Sequence, residues 1–174
     1  MKWAALLGAI NAGHKLPMAD LRAFLSDQGF GEVRTLLASG NAVFDADGTD
    51  AAKLEQRLRP ALAEAFGIDT PWFLRSHAEL GAVVAANPFP DAAEAHPNHL
   101  LVHFHAADVP KTCLEALRHD GPERLHTIGR ELYVDYPDDV GHSKLPAAMK
   151  RAKFPKEATA RNWSTVLKLA AATA

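Results

Sequence analysis

A short polar motif near the carboxyl end of the chain has the residue types that hold anions. The motif is Gly141-His142-Ser143-Lys144, and the apolar spacing after it predicts a helix over 145–153. Ser143 is a good helix cap, and free N–H groups at a helix start beside Lys144 would suit a phosphate or a carboxylate. The alternative is a cap that binds nothing. We predict that Ser143 and Lys144 contribute to a ligand site.

Arg161 is the second basic residue of this predicted site. The spacing of apolar residues predicts a last helix over 160–171, capped by Thr159, which puts Arg161 in the first turn. The helix dipole disfavours a cation there. Either an anion lies beside Arg161, or its guanidinium pairs with a carboxylate of the acidic part of the chain. We include Arg161 and Asn162 in the site and leave the ion pair open.

Two loops carry polar groups that could complete the site. Ser39-Gly40-Asn41 offers a hydroxyl, an amide and backbone N–H groups to an anion. A plain hairpin turn would favour the same residues, because Gly adopts positive φ and Asn tolerates it. Asn11, in the loop after the first predicted strand, is equally ambiguous. We keep Asn11, Ser39, Gly40 and Asn41 as candidate ligand-binding residues.

Three histidines recur along one predicted strand over 99–106. His99, His103 and His105 share a face, and two imidazoles about 7 Å apart at their Cα atoms can chelate zinc. No cysteine or carboxylate shares that face. We therefore predict a solvated or interface face that binds no metal.

Catalytic residues cannot be assigned from the sequence. No nucleophile–base pair is discernible, and neither of the two best-known nucleotide-binding glycine motifs occurs. We assign no cofactor and leave open whether the protein is an enzyme.

Charge is distributed unevenly along the 174 residues. The net charge is −2, but residues 141–174 hold seven basic side chains and one acidic side chain, a net +6. The remainder of the chain is therefore acidic. This asymmetry indicates an anionic ligand or an electrostatic match between the two parts.

The sequence favours a cytoplasmic protein without a membrane partner. Cys113 is the only cysteine, so no intrachain disulfide can form, and a buried inert thiol is expected. No apolar run approaches the roughly 20 residues that span a bilayer. The opening apolar run is interpreted as a buried strand rather than a secretory signal.

The order of predicted elements indicates an α+β fold. Residues 1–87 read as strand, helix, strand, strand, helix, strand, the ferredoxin-like pattern of an antiparallel sheet with two helices. Residues 88–97 are rich in proline and polar side chains and predict a linker. Residues 98–174 predict a smaller α+β subdomain with a similar strand, helix, strand, strand, helix layout.

Three segments together resemble a bacterial family of unknown function, family 1697. They are ALLGAINAGHKLPMADLRAFLSDQGFGEVRTLLASGNAVF (5–44), YPDDVGHSKL (136–145) and TARNWSTVLKL (159–169). The family pattern near the start looks like Leu-Leu-Arg-Gly-Ile-Asn, and here Gly8 and Ala9 replace the arginine and the glycine. The resemblance implies an α+β protein with a ferredoxin-like first part, and it implies no activity.

These observations favour a protein that binds a small anionic or phosphorylated ligand near the basic helix starts. One alternative is a nucleic-acid-binding module, which is not favoured because the strands lack the basic and aromatic alternation that stacks bases. The other is an interaction protein that forms a homodimer through the histidine-bearing sheet face. The oligomeric state stays open.

Overall fold

The computed structural model describes residues 1–10, 13–48 and 50–174. The chain divides into two compact units. The first contains Met1–Ala82 and Lys168–Ala174, and the second contains Val83–Leu167. Each unit contains a four-stranded antiparallel sheet.

The first unit has the predicted ferredoxin-like topology. Its sheet has the order β2-β3-β1-β4, and all its strand pairs are antiparallel. The elements are β1 (Lys2–Leu7), α1 (Met18–Asp27), β2 (Gly31–Thr35), β3 (Asn41–Asp45), α2 (Ala51–Phe66) and β4 (Trp72–Ser76). α3 (His77–Ala85) follows and continues into the second unit.

Helical spacing explains the core of the first unit. The buried positions of α2 are Leu54, Leu58 and Leu62, spaced by four residues, and they join one cluster with the buried positions of α1 and alternate residues of β1. The Asp50 side chain caps α2 by accepting a hydrogen bond from the backbone N–H of Lys53. The apolar opening of the chain is thus a central strand of the sheet, as expected.

Position 8, where the family pattern has an arginine, leaves little room for a side chain. A Cβ added to Gly8 would lie 3.3 Å from both Pro71 Cγ and Thr70 Oγ1. Thr70 Oγ1 also donates a hydrogen bond to the carbonyl of Gly8, at 2.5 Å. The next residue, Ala9, has φ +54°, in the left-handed region that favours the glycine of the family pattern.

The second unit repeats the same strand order with its own strands. Its sheet has the order β6-β7-β5-β8, again fully antiparallel. The elements are α4 (Pro90–Ala95), a 3-10 turn (Pro97–His99), β5 (Leu100–His105), α5 (Lys111–Ala116), β6 (Arg124–Ile128), β7 (Glu131–Asp135), α6 (Leu145–Arg151), β8 (Ala158–Asn162) and α7 (Trp163–Ala172). The α+β prediction is confirmed, and residues 88–97 hold a helix and the first residue of a 3-10 turn.

The predicted last helix begins later than expected. Residues Ala158–Asn162 form β8, which pairs with β5 in a register that places Arg161 opposite Val102. The side chains of β8 alternate between buried and half-buried, as in a strand. Asn162 Oδ1 accepts a hydrogen bond from the backbone N–H of Thr165 at 3.0 Å, so Asn162, and not Thr159, caps the helix.

None of the described helices is both long enough and apolar enough to span a membrane.

Candidate functional site

A pocket of about 610 Å³ lies in the second unit, beside the start of α6. The segment between α5 and β6 forms one wall, and the loop between β7 and α6 forms another. Ser143 and Lys144, two of the predicted site residues, lie on this loop and line the pocket.

Glu123 is the centre of a hydrogen-bond network in this pocket. Its carboxylate accepts a hydrogen bond from Ser143 Oγ at 2.5 Å and another from His119 Nε2 at 2.6 Å. The side chains of His119 and Glu123 are only 9% and 8% exposed. Burial acts to raise the pKa of Glu123, but the two hydrogen bonds outweigh it and hold that pKa below its ordinary value. Glu123 is therefore a charged, compensated carboxylate.

Ser143 lies one residue before the cap position of α6, which Lys144 occupies without a side-chain hydrogen bond, so the predicted serine cap was wrong. Ser143 Oγ accepts a hydrogen bond from the backbone N–H of Leu145 at 3.1 Å while donating to Glu123. α6 has only seven residues, so its dipole is too short to make an anion site by itself. Binding in this pocket must depend on side chains.

The order of the network argues against a serine nucleophile. A serine is activated when its hydroxyl donates to a histidine that a carboxylate orients. Here the carboxylate of Glu123 lies between Ser143 and His119. A carboxylate with a lowered pKa is also a weak base, so this geometry is better suited to binding than to acyl transfer.

A second carboxylate of the lining is compensated in the same way. Asp139 accepts hydrogen bonds from the ring of His142 and from the backbone N–H of Gly141. The hydrogen bond from His142 is the largest cause that holds the pKa of Asp139 below its ordinary value. Thus Glu123 and Asp139 already have donors within the protein.

Two cations of the lining have no such partners. Lys144 and Arg151 are exposed, and neither side chain makes a hydrogen bond or an ion pair within the part of the chain that the structure describes. Arg118, also in the lining, donates from one nitrogen to the carbonyls of Glu115 and Leu117. The lining therefore holds two cations without an internal partner, beside the exposed carboxylates of Asp120 and Asp138.

Arg161 lies in a different environment from the one predicted. It is on β8, only 6% exposed, and its Nη1 donates to Thr159 Oγ1 at 2.5 Å and to the carbonyl of Ala160 at 2.9 Å. Burial lowers its pKa to about 10. Because Arg161 is not in a helix, the helix-dipole argument was wrong. Among the described lining residues of the pocket, neither Arg161 nor Asn162 appears.

The polar groups of Ser39, Gly40 and Asn41 serve the loop between β2 and β3 in the first unit. Asn41 is fully buried, and its Nδ2 donates to the carbonyl of Leu36 and to Ser39 Oγ, both at 2.9 Å. These contacts agree with the hairpin alternative. Asn11 lies outside the described residues.

The histidine-bearing face of β5 is covered, and the expectation of a solvated face was wrong. His105 is only 2% exposed, and His103 is half-buried on the same face as Leu101. That face packs against the cluster that contains Met149 of α6. His99 lies in the 3-10 turn before β5. Within the described residues, no three His, Cys, Asp or Glu side chains are close enough to hold a metal.

The sequence analysis missed a charged cluster around Asp135. This aspartate is 2% exposed at the end of β7, and its two oxygens contact His96 Nε2 at 2.7 Å and Arg124 Nε at 2.9 Å. Arg124 also reaches Asp91 at 2.9 Å and lies over the ring of Phe89. With both oxygens occupied, Asp135 is a structural anchor. An aspartate that closes an apolar strand was the signal available in the sequence.

Comparisons with known proteins agree with the fold. A family model described as "Protein of unknown function (DUF1697)" matches residues 1–133. The solved structure of the conserved bacterial protein SP0830 from Streptococcus pneumoniae is similar, with a TM-score of 0.79 and 22% sequence identity over 99% of this chain and 98% of the other. At that identity the likeness shows the fold alone. No curated protein matches the chain.

Proposed function

The chain belongs to this bacterial family of unknown function, and from its own residues we propose that it binds a small polar ligand with a phosphate or carboxylate group. The proposed site is the pocket beside α6. The observation that carries the proposal is the pair Lys144 and Arg151, two lining cations without an internal partner among the described residues.

Two carboxylates of the lining already accept hydrogen bonds within the protein, so they are less able to repel an anionic group of a ligand. Glu123 and Asp139 each accept hydrogen bonds from neighbouring side chains, so their charges are partly neutralised inside the protein. A phosphate or carboxylate near Lys144 and Arg151 would accept charge-assisted hydrogen bonds from both side chains. The guanidinium of Arg151 can bind such a group with two parallel hydrogen bonds.

The remaining acidic residues of the lining favour a ligand that also carries hydrogen-bond donors. Asp120 and Asp138 are exposed, and they can accept hydrogen bonds from hydroxyl or amine groups. A phosphorylated sugar combines one anionic group with several hydroxyls. The pocket volume of about 610 Å³ lies within the range of small-molecule sites, roughly 300–1,000 Å³.

The deciding experiment is calorimetric titration of the full chain with ribose 5-phosphate and with ribose. We expect the phosphate to dominate affinity. The double variant Lys144→Gln/Arg151→Gln should then weaken binding of ribose 5-phosphate by about tenfold or more, since two charge-assisted contacts are lost. The matched control is Lys15→Gln/Lys111→Gln, which removes the same charge from exposed positions elsewhere.

Two outcomes would contradict the proposal. One is equal affinity in both double variants. The other is no binding by a panel of sugar phosphates, mononucleotides and small carboxylates. If an oligonucleotide binds and mononucleotides do not, the nucleic-acid alternative is favoured instead. If the molecular mass measured by sedimentation rises with protein concentration, the homodimer alternative is favoured.

A further inference from the structure

The pocket beside α6 holds opposite charges that do not pair with each other. Asp120 and Asp138 are exposed in its lining, and neither carboxylate makes a hydrogen bond or an ion pair within the described residues. The same is true of the cations Lys144 and Arg151, which line the same pocket. Opposite charges that line one cavity without pairing leave both signs available to a single ligand.

Asp120 lies in a turn that a neighbouring carboxylate closes. Glu123 accepts a hydrogen bond from His119 Nε2 at 2.6 Å, and this contact spans the turn that contains Asp120. A Cβ added to Gly121 would collide with both the carboxylate of Glu123 and the ring of His119. The backbone therefore fits closely around this hydrogen bond, and the fold sets the position of Asp120 in the wall.

Asp138 lies in a second turn of the same construction. Its neighbour Asp139 accepts hydrogen bonds from the ring of His142 and from the backbone N–H of Gly141. In each of the two turns, one carboxylate is held by donors of the protein, while another is left free in the lining of the pocket. The free carboxylates are thus presented by braced turns.

The charge balance of the lining argues against a ligand that is only anionic. The described lining contains four carboxylates and three permanent cations, namely Asp120, Glu123, Asp138, Asp139, Arg118, Lys144 and Arg151. A phosphate or carboxylate bound alone would add negative charge to a lining without a surplus of positive charge. An ammonium group on the same ligand would offset that addition. An ammonium also forms a stronger hydrogen bond with a carboxylate than a hydroxyl does, because both groups are charged.

Building on the function proposed above, we propose that the ligand of this pocket is a zwitterion, which carries an ammonium group in addition to its phosphate or carboxylate. The anionic group faces Lys144 and Arg151, and the ammonium group faces Asp120 and Asp138. The ligand class is therefore that of small amine-bearing phosphates or carboxylates, in place of phosphates whose other polar groups are hydroxyls.

Calorimetric titration of the full chain with two matched pairs of phosphates tests this class. The short pair is phosphoethanolamine and 2-hydroxyethyl phosphate, and the long pair is 5-aminopentyl phosphate and 5-hydroxypentyl phosphate. Within each pair, an ammonium replaces a hydroxyl. We expect the amine of at least one pair to bind about fivefold more tightly than its hydroxyl partner at low ionic strength, and added salt to reduce this preference. Equal affinity within both pairs would overturn the proposal.

Variants of the two free carboxylates test where the ammonium binds. Asp120→Asn/Asp138→Asn should abolish the preference for the amine, because the amide side chains carry no charge. The matched control is Asp27→Asn/Asp108→Asn, which removes the same charge from exposed positions outside the lining and should keep the preference. A preference that persists in the first variant would contradict the assignment. Since all four positions are exposed, the urea midpoints of both variants should equal that of wild type.

Two further measurements separate this inference from the function on which it rests. Amide chemical shifts of the wild-type chain, titrated with the preferred amine, should move first at residues 120, 138, 144 and 151, and shifts centred elsewhere would overturn the proposal. If both members of each pair bind equally and both are weakened by Lys144→Gln/Arg151→Gln, the zwitterion is wrong and the anion site stands. If no phosphate binds, both proposals fail.

Discussion

At the scale of single residues, Gly40 occupies a position in the first unit that no larger residue can take without strain. Its φ is +86°, and a Cβ added there would lie 2.9 Å from Ile10 Cβ, closer than real Cβ contacts allow. The loop between β2 and β3 therefore needs glycine for two reasons, its backbone conformation and its close approach to Ile10. The sequence analysis had weighed Gly40 only as a turn residue or an anion contact.

Gly40→Ala should destabilise the protein by about 2 kcal/mol or more, because it combines left-handed strain with a steric clash. The matched control is Gly29→Ala, at φ +91° with no atom within 4 Å of the added Cβ, where strain acts alone at about 1 kcal/mol. Urea unfolding measures both changes. If the two variants lose equal stability, the clash with Ile10 contributes nothing.

Arg161 is the residue whose interpretation changed most. Its guanidinium is buried on β8 and donates to Thr159 Oγ1 and to the carbonyl of Ala160. Arg161→Ala should cost about 2–3 kcal/mol of unfolding free energy, since buried acceptors lose their donor and a cavity forms. Arg151→Ala, at an exposed position, should change stability by less than about 0.5 kcal/mol. A urea midpoint for Arg161→Ala equal to that of wild type would favour a side chain kept for a ligand.

At the scale of elements, the junction between β8 and α7 depends on Asn162. The chain leaves the sheet and starts a helix within one residue, and Asn162 Oδ1 satisfies the backbone N–H of Thr165. Asn162→Ala should therefore cost about 1 kcal/mol, whereas Asn162→Asp, which keeps the accepting oxygen, should retain stability. Thermal or urea unfolding of the two variants tests this. Equal losses in both would mean that the cap is not the role of Asn162.

At the scale of the whole molecule, His103 couples stability to pH. Its pKa in the folded chain is about 4, below the ordinary value of 6.5, so the unfolded chain binds the proton more readily. Stability is unaffected above pH 6.5 and is lost as the pH falls towards 4. The charge of His105 acts in the same direction as burial, and Tyr136, Lys150 and Lys156 line the same cavity as His103.

This coupling predicts a specific difference between variants. Between pH 7.5 and pH 5, His103 should contribute a loss of about 2 kcal/mol in wild type, and His103→Leu should lack that part of the loss. His126→Leu, at an exposed position on β6, serves as the control and should keep it. Urea unfolding at the two pH values measures the difference, and identical pH dependence in all three proteins would show that His103 does not carry it.

The sequence by itself determined most of the elements, because apolar spacing is a local property. Leu54, Leu58 and Leu62 predict α2, and the alternating strands around them are sufficient for the ferredoxin-like topology of the first unit. The start of α6 at Leu145 was predicted for the same reason, although Lys144 and not Ser143 occupies its cap position.

Only the tertiary structure decided which residues meet and which faces are covered. β8 is too short and too polar to be recognised before β5 pairs with it, so Arg161 was assigned to a helix instead of a buried strand position. His103 alternates along β5 as a solvated residue would, yet its side chain is half-buried. Glu123 contacts Ser143 across 20 residues of chain. Such contacts depend on how helices and loops pack on the sheet, and local periodicity carries no information about that packing.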